Sequence, residues 1–165
     1  MTYKLQTLKG QFGGLKQKID FMRRCYPGSL TDPAVRRFAE QGAGRGTRFE
    51  QVRNLYAAIK AHVAYLPDPL GVEMTKSPSV LLREMDERGG TTSGDCDDQA
   101  SFSYTLLKSI GIPAKLRVVW FDRACMPGHI FPMARVDGDW ITFDTTNKAG
   151  MGVTPSGVTK QEDFL

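Results

Sequence analysis

Long apolar runs and cysteines are scarce in this sequence. No stretch approaches the roughly 20 apolar residues that a membrane-spanning helix needs, so we expect no contact with a membrane. The N-terminus has neither the apolar core nor the small-residue cleavage site of a secretory signal, which favours a cytoplasmic location. Three cysteines in 165 residues are an odd and sparse set that does not resemble a disulfide framework. We therefore expect reduced thiols.

Repeats, low-complexity tracts and a biased composition are absent as well. Hydrophobic residues make up 41% and charged residues 24% of the chain, and these fractions exclude the disordered and fibrous classes. The length is typical of a single domain with a sizeable core. Gly42, Gly44 and Gly46 are not followed by the Gly-Lys-Ser/Thr ending of a phosphate-binding loop, so they predict a linker instead.

Positive charge is concentrated in the first part of the chain. Residues 1–60 hold 12 Lys and Arg against 4 Asp and Glu, a net +8, whereas residues 61–165 hold 10 against 14, a net −4. A basic surface can bind an anionic partner such as a nucleic acid or an acidic protein assembly. However, aromatic side chains do not interleave with these charges as a stacking surface would require. We therefore expect the basic part to pack against the acidic remainder, with an anionic partner as the alternative.

Helical patterns dominate up to about residue 110. Capping and proline signals mark helix starts at Asp32-Pro33, at Thr47 with Glu50 as a capping box, at Ser77-Pro78 and at Cys96. Gly13-Gly14 and Pro27-Gly28 predict breaks within the first 45 residues. The last of the predicted helices ends where Gly111 and Pro113 follow it.

After this point the sequence alternates with a period of two, which is typical of strands. The segments "AKLRVVWF", "HIFPMARV" and "DWITFDTT" predict an antiparallel sheet of three or more strands, so the fold class is α+β. Three parts are expected within a single compact domain. They are a helical extension over 1–46, a core over 47–148 and an irregular tail over 149–165.

A two-residue turn fixes how the last two strands pair. Asp137-Gly138 is a strong hairpin signal, and it places Val136 opposite Asp139. In this register His129 and Asp144 are diagonal neighbours on one face, with Cα atoms about 7–8 Å apart and side chains within reach. A three-residue bulged turn would reverse the parity and separate them. The sequence therefore predicts that Asp144 orients the imidazole of His129.

The helix that begins at Cys96 starts with a thiol among acids, in the stretch "GDCDDQ". Backbone N–H groups at a helix start favour a thiolate, whereas Asp95, Asp97 and Asp98 disfavour a further negative charge. The aspartates also suit the helix, since Asp is a common capping residue. A protonated His129 beside the sulfur would restore the balance. We therefore expect a thiolate–imidazolium pair.

The stretches "GDCDDQASFSYTLLKSIGIPAKLRVV" and "GHIFPMARVDGDWITFDTT" together resemble the transglutaminase-like superfamily of cysteine enzymes. The shared pattern is Gly-Asp-Cys plus an acid at a helix start, Gly-Ile-Pro-Ala-Lys after the helix, a strand beginning with His and a Trp…Asp-x-Thr strand. The order Cys96, His129, Asp144 is that of the family's triad. The resemblance extends from about Leu55 to Thr146, and the first 45 residues resemble no family.

The resemblance implies a papain-like fold and acyl chemistry on a protein or peptide substrate. Cys96 would be the nucleophile, His129 the general base and Asp144 its orienting partner, without a cofactor or metal. We expect hydrolysis of an amide through a thioester, as in a cysteine peptidase or amidase. Two alternatives stay open: acyl transfer from a protein glutamine to an amine, and a non-catalytic binding or structural module. Small members of the family also occur in phage genomes, so a virion-associated context is an alternative to the cytoplasm.

The oxyanion donor departs from the family pattern. Animal transglutaminases use a tryptophan upstream of the cysteine, but Trp120 and Trp140 both follow Cys96. We expect the backbone N–H of Cys96 to donate to the oxyanion, with the Tyr65 side chain as a weaker substitute. The walls of the substrate site are expected from residues 73–79, residues 120–128 and the N-terminal helices.

Other candidate ligands receive structural interpretations. Cys125, His129 and Cys96 could ligate zinc, but no second closely spaced ligand pair completes such a site. The three aspartates around Cys96 lack the loop glycine and distal glutamate of a calcium-binding EF-hand. His62 lies at the edge of an apolar helical stripe and is predicted to pack there. Cys25 and Cys125 are predicted to be a buried thiol and a loop thiol.

Overall fold

The computed structural model describes residues 5–8, 15–70, 73–121 and 128–164, which form a mixed helical and stranded fold. The helices are α1 (Leu15–Leu30), α2 (Pro33–Ala43), α3 (Arg48–His62), α4 (Pro78–Glu87) and α5 (Cys96–Ser109). The strands are β1 (Leu5–Leu8), β2 (Val63–Tyr65), β3 (Glu73–Lys76), β4 (Thr92–Gly94), β5 (Ala114–Trp120), β6 (His129–Val136), β7 (Asp139–Thr142) and β8 (Lys160–Phe164). The predicted α+β class is confirmed. In the described ranges, every helix is too short or too polar to cross a membrane.

The starts of α2 and α3 follow the predicted capping signals. The Asp32 carboxylate accepts a hydrogen bond from the Ala34 N–H at 2.9 Å, and Pro33 is the first residue of α2. At the start of α3, the Thr47 hydroxyl accepts from the Glu50 N–H, and the Glu50 carboxylate accepts from the Thr47 N–H. Both predicted helix starts are therefore confirmed.

Helix α1 continues through Pro27, so the predicted break at Pro27-Gly28 is wrong. A proline removes one backbone hydrogen bond, but Pro27 is exposed and lies in the last turn of the helix. The buried face of the same helix carries Phe21, Met22 and Cys25. Burial of this apolar face stabilises the helix by more than the lost bond costs. The other predicted break, at Gly13-Gly14, lies outside the described residues.

Two small sheets lie in the part of the chain that was predicted to be helical. β1 pairs antiparallel with β3, with Leu5 opposite Lys76. β2 pairs in parallel with β4, with Tyr65 opposite Gly94. Helices do dominate up to about residue 110, but these two small sheets were not predicted. Strands of three or four residues are too short to show the alternation that distinguishes a strand from a loop.

The main sheet has four strands in the order β7-β6-β5-β8, and every neighbouring pair is antiparallel. Val136 lies opposite Asp139, as the Asp137-Gly138 turn predicts. The two turn residues have positive φ angles of 52° and 100°, as a type I′ turn requires. The predicted hairpin and its register are therefore confirmed.

The tail that was expected to be irregular ends in a strand of this sheet. β8 pairs with β5 along its whole length, with Trp120 opposite Lys160. Its side chains are mostly exposed, so the segment lacks the apolar alternation by which a strand is recognised in a sequence. Ion pairs from Lys115 and Arg117 to Asp163, at 2.7 and 2.8 Å, add to the backbone pairing.

Helix α5 is buried between the other helices and the main sheet. Its residues from Asp97 to Leu107 are all buried. The face of the sheet that carries Ile130 and Ala134 belongs to the main apolar core with α5. On the opposite face, Phe131 belongs to a smaller cluster that a residue of the tail covers. Because α5 is buried along most of its length, its first turn lies inside the protein, and polar groups there need protein partners.

The close approach of β4 to the start of α5 generates a stability prediction. A Cβ atom added to Gly94 would lie 2.6 Å from the Cβ of Asp98. Asp98 cannot move away readily, because it is buried and its carboxylate accepts from the Lys76 N–H. We expect Gly94→Ala to lower the free energy of unfolding by about 1–3 kcal/mol, measured by urea denaturation.

Gly28→Ala is the matched control for this substitution. Gly28 lies in α1 and no heavy atom lies within 4 Å of its added Cβ. Alanine should therefore stabilise the helix there by about 0.5–1 kcal/mol. A Gly94→Ala protein as stable as the unmodified chain would contradict the claim that β4 and α5 are packed without space for a side chain.

Candidate active site

His129 and Asp144 are brought together at one end of the β6–β7 hairpin. The Nε2 atom of His129 lies 2.7 Å from Oδ2 of Asp144. His129 is the first residue of β6, and Asp144 follows β7 directly after Phe143, whose N–H continues the ladder to the carbonyl of Pro132. The predicted contact between the imidazole and the carboxylate is therefore confirmed.

The Asp144 carboxylate is buried and held from a second side. Its Oδ1 atom accepts hydrogen bonds from the Thr146 N–H at 3.0 Å and from the Thr146 hydroxyl at 2.7 Å. The Tyr56 hydroxyl donates to the backbone carbonyl of Asp144 at 3.0 Å. Burial raises the pKa of Asp144, but the hydrogen bonds from His129 and Thr146 and the charge of His129 lower it by more than burial raises it. The pKa of Asp144 therefore lies below its ordinary value. Asp144 is therefore a carboxylate at neutral pH.

These contacts fix the tautomer of the imidazole. Because Asp144 is ionised, it accepts the hydrogen bond and Nε2 of His129 donates it. The Thr146 hydroxyl lies 3.3 Å from the same nitrogen. In the neutral ring, a proton on Nε2 leaves Nδ1 as the basic nitrogen. Thr146 and Tyr56 were not predicted, although a short Asp-Thr-Thr segment is a recognisable signal for a side-chain turn at Asp144.

Cys96 lies against the beginning of the strand that carries His129. It is the first residue of α5 and is partly exposed. The backbone N–H of Ile130, the residue that follows His129, forms a hydrogen bond with its sulfur. The structure therefore brings Cys96 to the same end of the sheet as the His129–Asp144 pair, as the resemblance implied.

The three aspartates around Cys96 serve different neighbours. Asp95 caps α5, because its Oδ1 accepts from the N–H groups of Asp97 and Asp98 at 3.2 and 3.3 Å. The Asp98 carboxylate accepts from the Lys76 N–H at 2.6 Å. The side chains of Asp95 and Asp97 also interact through a hydrogen bond. Two carboxyl groups can share a bond only when one of them holds a proton.

Burial keeps protons on two of these acids. Burial and the neighbouring Asp97 raise the pKa of Asp95 well above its ordinary value. Burial first, and then the charge of Asp97, raise the pKa of Asp98 to about 8. At neutral pH both groups are therefore largely neutral, which lessens the negative charge around Cys96.

The expected thiolate–imidazolium pair is not the resting state. Burial, followed by the charges of Asp97 and Asp95, raises the pKa of Cys96 to about 12, although Lys18 and the Ile130 N–H oppose the shift. The favourable field of the helix start is therefore outweighed by loss of water and by the adjacent acids. Cys96 is a neutral thiol at neutral pH, and any attack through its sulfur needs a base.

The expected oxyanion donors lie beside the sulfur. The Cys96 N–H is the first of the helix and has no acceptor within the helix, and the capping carboxylate of Asp95 binds the next two N–H groups instead. Tyr65 is the last residue of β2 and lies opposite Gly94; it is 55% exposed and interacts electrostatically with Cys96. Both groups are therefore near the thiol, and their role as donors belongs to the mechanism proposed below.

An open cleft of about 680 Å³ leads to the His129–Asp144 pair. Its walls include Tyr65, Phe121, Gly128, Thr146, Asn147, Lys148, Pro155 and Ser156. Among the described parts of the expected walls, Phe121 and Gly128 line the cleft, whereas residues 74–79 and the helices α1 and α2 do not. Residues 122–127 lie outside the described residues. The contribution of the tail was missed because its return to the sheet was not predicted.

His62 and Cys25, two further residues considered in the sequence, have structural roles. His62 donates from Nδ1 to the Gly90 carbonyl at 2.6 Å and packs edge-on against Phe38. Cys25 is buried. Cys125, and with it the zinc interpretation, lies outside the described residues.

Potential metal ligands also occur at the start of α5. Within the described ranges, Asp95, Cys96 and Asp97 are the group whose ligand atoms lie within 4.8 Å of one another. Their carboxylates already cap the helix and bond to each other. We therefore assign them to the helix start.

The Gln99 side chain connects the two halves of the site. Its amide donates to the Gly94 carbonyl at 3.2 Å, and its carbonyl accepts from the Thr145 hydroxyl at 2.9 Å. Gln99 lies one turn after Cys96, and Thr145 follows Asp144. This buried bridge therefore ties the position of the thiol to that of the carboxylate.

Similarity to known proteins covers all three predicted site residues. The family model of the transglutaminase-like superfamily matches residues 36–145. The chain belongs to this superfamily. The resemblance read from the sequence is thereby confirmed, and so is the papain-like fold that it implied.

A solved structure shows the same fold at low sequence identity. A candidate cysteine protease from Cytophaga hutchinsonii has a TM-score of 0.55 and 18% identity, over 84% of this chain and 50% of that one. A structure described as a TGase has a TM-score of 0.44 and 15% identity, over 88% of this chain and 36% of that one. The superfamily member described here thus spans about half the length of the first of these proteins. No curated protein matches the sequence significantly.

The protonated acids at the start of α5 generate a pH prediction. Between about pH 4 and pH 8 the folded protein holds protons on Asp95 and Asp98 that the unfolded chain has released. The free energy of unfolding must therefore fall as the pH rises through this range, by up to about 1.4 kcal/mol per pH unit for each proton. The hydrogen bond from Arg117 lowers the pKa of Asp163 to about 2. Asp163 therefore stabilises the folded protein at neutral pH, and this stabilisation is lost only as the pH falls towards 2.

Urea denaturation at pH 5, 7 and 9 measures this slope. Asp98→Asn keeps an acceptor for the Lys76 N–H but cannot titrate, so its stability should fall less steeply with pH. Asp139→Asn, at an exposed position of β7, should follow the unmodified protein. Equal slopes for all three proteins would contradict a buried proton on Asp98.

Proposed function

We propose that this protein is a cysteine hydrolase that cleaves amide bonds of a protein or peptide through a thioester. The observation that carries the proposal is the 2.7 Å contact between His129 and Asp144, with the Cys96 sulfur against the backbone at the start of the same strand. This arrangement offers a thiol, a base and an orienting carboxylate at one end of the sheet, and the open cleft reaches the base and the carboxylate. Membership of a superfamily of cysteine enzymes and likeness to a candidate cysteine protease support this reaction class.

The first half of the reaction forms the thioester. As the substrate carbonyl approaches, Nδ1 of His129 takes the proton of the Cys96 thiol, and the sulfur attacks the carbonyl carbon. The Cys96 N–H, with Tyr65 nearby, donates to the oxygen that becomes negative. His129 then returns the proton to the leaving nitrogen, the carbon–nitrogen bond breaks, and the amine departs. Asp144 keeps Nε2 protonated and stabilises the imidazolium.

The second half hydrolyses the thioester. A water molecule gives a proton to Nδ1 of His129 and attacks the acyl carbon. The tetrahedral intermediate collapses, the carbon–sulfur bond breaks, and the proton returns to the sulfur. An acid product is released and the neutral thiol of Cys96 is restored. This cycle starts and ends with the resting state that the raised pKa of Cys96 dictates.

Three substitutions test the roles on a library of peptides and glutaminyl peptides. We expect Cys96→Ala to abolish release of amine or ammonia, since Cys96 supplies the sulfur of the thioester. His129→Ala and Asp144→Asn should lower kcat by about 10²–10⁴-fold, because the thiol then lacks a correctly oriented base. Cys25→Ala removes a buried thiol and serves as the control with retained activity.

The same assay separates hydrolysis from its alternatives. A fluorescent primary amine is added, and incorporation into the peptide in place of acid formation would assign acyl transfer. If Cys96→Ala retained full activity, or if no amide in the library were cleaved and Cys96 stayed inert to iodoacetamide at every pH up to 11, the enzymatic proposal would be wrong. A binding or structural module would then be favoured.

A further inference from the structure

A lysine from outside the family match reaches the acids at the nucleophile. Nζ of Lys18, on α1, lies 3.5 Å from Oδ2 of Asp97, the residue after Cys96. The Lys18 side chain is 18% exposed and that of Asp97 is fully buried. An ion pair that is largely removed from water is screened much less than a surface pair. The match to the superfamily begins at residue 36, so α1 lies before it.

A second contact links the same carboxylate to the N-terminal part of the chain. Oδ2 of Asp97 also accepts from the Thr75 hydroxyl at 2.8 Å. Thr75 belongs to β3, which is paired with β1. Helix α1 therefore contacts Asp97 through Lys18, and β1 supports Asp97 indirectly, through its pairing with the strand that carries Thr75.

The titratable groups around the Cys96 sulfur include Lys18 on α1. Asp95 and Asp97 flank Cys96 on the chain, Tyr65 faces it from β2, and His129 stands at the start of β6. Of these, the aspartates disfavour a thiolate, whereas Lys18 favours it. Lys18 is therefore placed to offset the negative charge that Asp97 brings to the sulfur.

We propose that Lys18 is a positioning residue that holds and neutralises the Asp97 carboxylate, so that β1 and α1 complete the active site of the superfamily core. The inference rests on the proposed role of Cys96 as the nucleophile. It assigns a function to the N-terminal segment that packing alone would not require. Lys18 acts through Asp97 and through its field at the sulfur, and it need not touch the substrate.

Packing of α1 does not depend on this lysine. Ile19, Phe21 and Met22 are buried in the helix, and the ring of Tyr26 lies 5.2 Å from that of Tyr104 on α5. A Lys18→Met substitution keeps the length of the side chain and removes only its charge. The helix should therefore stay docked while the electrostatic contribution is lost.

Alkylation of Cys96 by iodoacetamide from pH 6 to pH 11 provides the test, with the labelled peptide identified by mass spectrometry. In Lys18→Met the thiolate fraction falls, and the profile should shift to higher pH. At a fixed pH between 7 and 9 we expect alkylation to slow by about three- to tenfold, since the remaining thiolate is more nucleophilic. Lys18→Arg should restore the original profile, which loss of packing volume would not explain.

Lys16→Met is the matched control, because Lys16 is an exposed lysine on the same helix. Its alkylation profile should overlay that of the unmodified protein. Asp97→Asn removes the charge that Lys18 neutralises and should shift the profile to lower pH. If Lys18→Met failed to fold, as judged by circular dichroism, Asp97→Asn would by itself test whether the charge of Asp97 raises the pKa of the Cys96 thiol.

The outcomes separate this inference from the proposed function. Identical profiles for Lys18→Met, Lys16→Met and the unmodified protein would overturn the role of Lys18 while Cys96 remained reactive. An unchanged or higher-pH profile for Asp97→Asn would overturn it as well. A Cys96 that is inert at every pH in the unmodified protein would instead overturn the proposed function, on which this inference rests.

Discussion

The fold depends on how the buried start of α5 is satisfied. A helix that begins inside a protein with three carboxyl groups needs donors or protons for each of them. Asp95 uses the free N–H groups of its own helix, and Asp98 takes the Lys76 N–H. Asp97 takes the Thr75 hydroxyl and Lys18. The strand β3 therefore supplies two of these polar partners from within the family match, and Lys18 on α1 adds one from outside it.

The hairpin register is a second constraint on the site, and it is linked to the start of α5 through the backbone N–H of Ile130. The Asp137-Gly138 turn sets the face on which His129 and Asp144 lie, and the start of α5 sets the position of Cys96. The Ile130 N–H bonded to the Cys96 sulfur connects the two. Neither constraint alone assembles the site. A slip of one residue in the hairpin would move His129 to the opposite face and leave the thiol without a base.

What the sequence could predict was local. The turn residues, the period of two and the capping signals operate within a few residues, so the hairpin, the helix starts and the pairing of His129 with Asp144 followed from them. Short strands such as β2 and the polar edge strand β8 leave no comparable pattern, because their backbone pairing carries little information in the side chains. The Lys18–Asp97 contact joins distant parts of the chain. It depends on tertiary packing that no local rule specifies.

The ionisation of Cys96 was misjudged for a physical reason that also bears on its chemistry. A helix dipole and a nearby histidine are visible in a sequence, but the loss of water around a buried thiol is not. Desolvation is the largest contribution here, so the resting group is a thiol. In the proposed mechanism the proton leaves only when a carbonyl reaches the sulfur and His129 can accept it. Such a site gives up resting nucleophilicity at neutral pH, because its thiol reacts with a free electrophile only as fast as the small thiolate fraction allows.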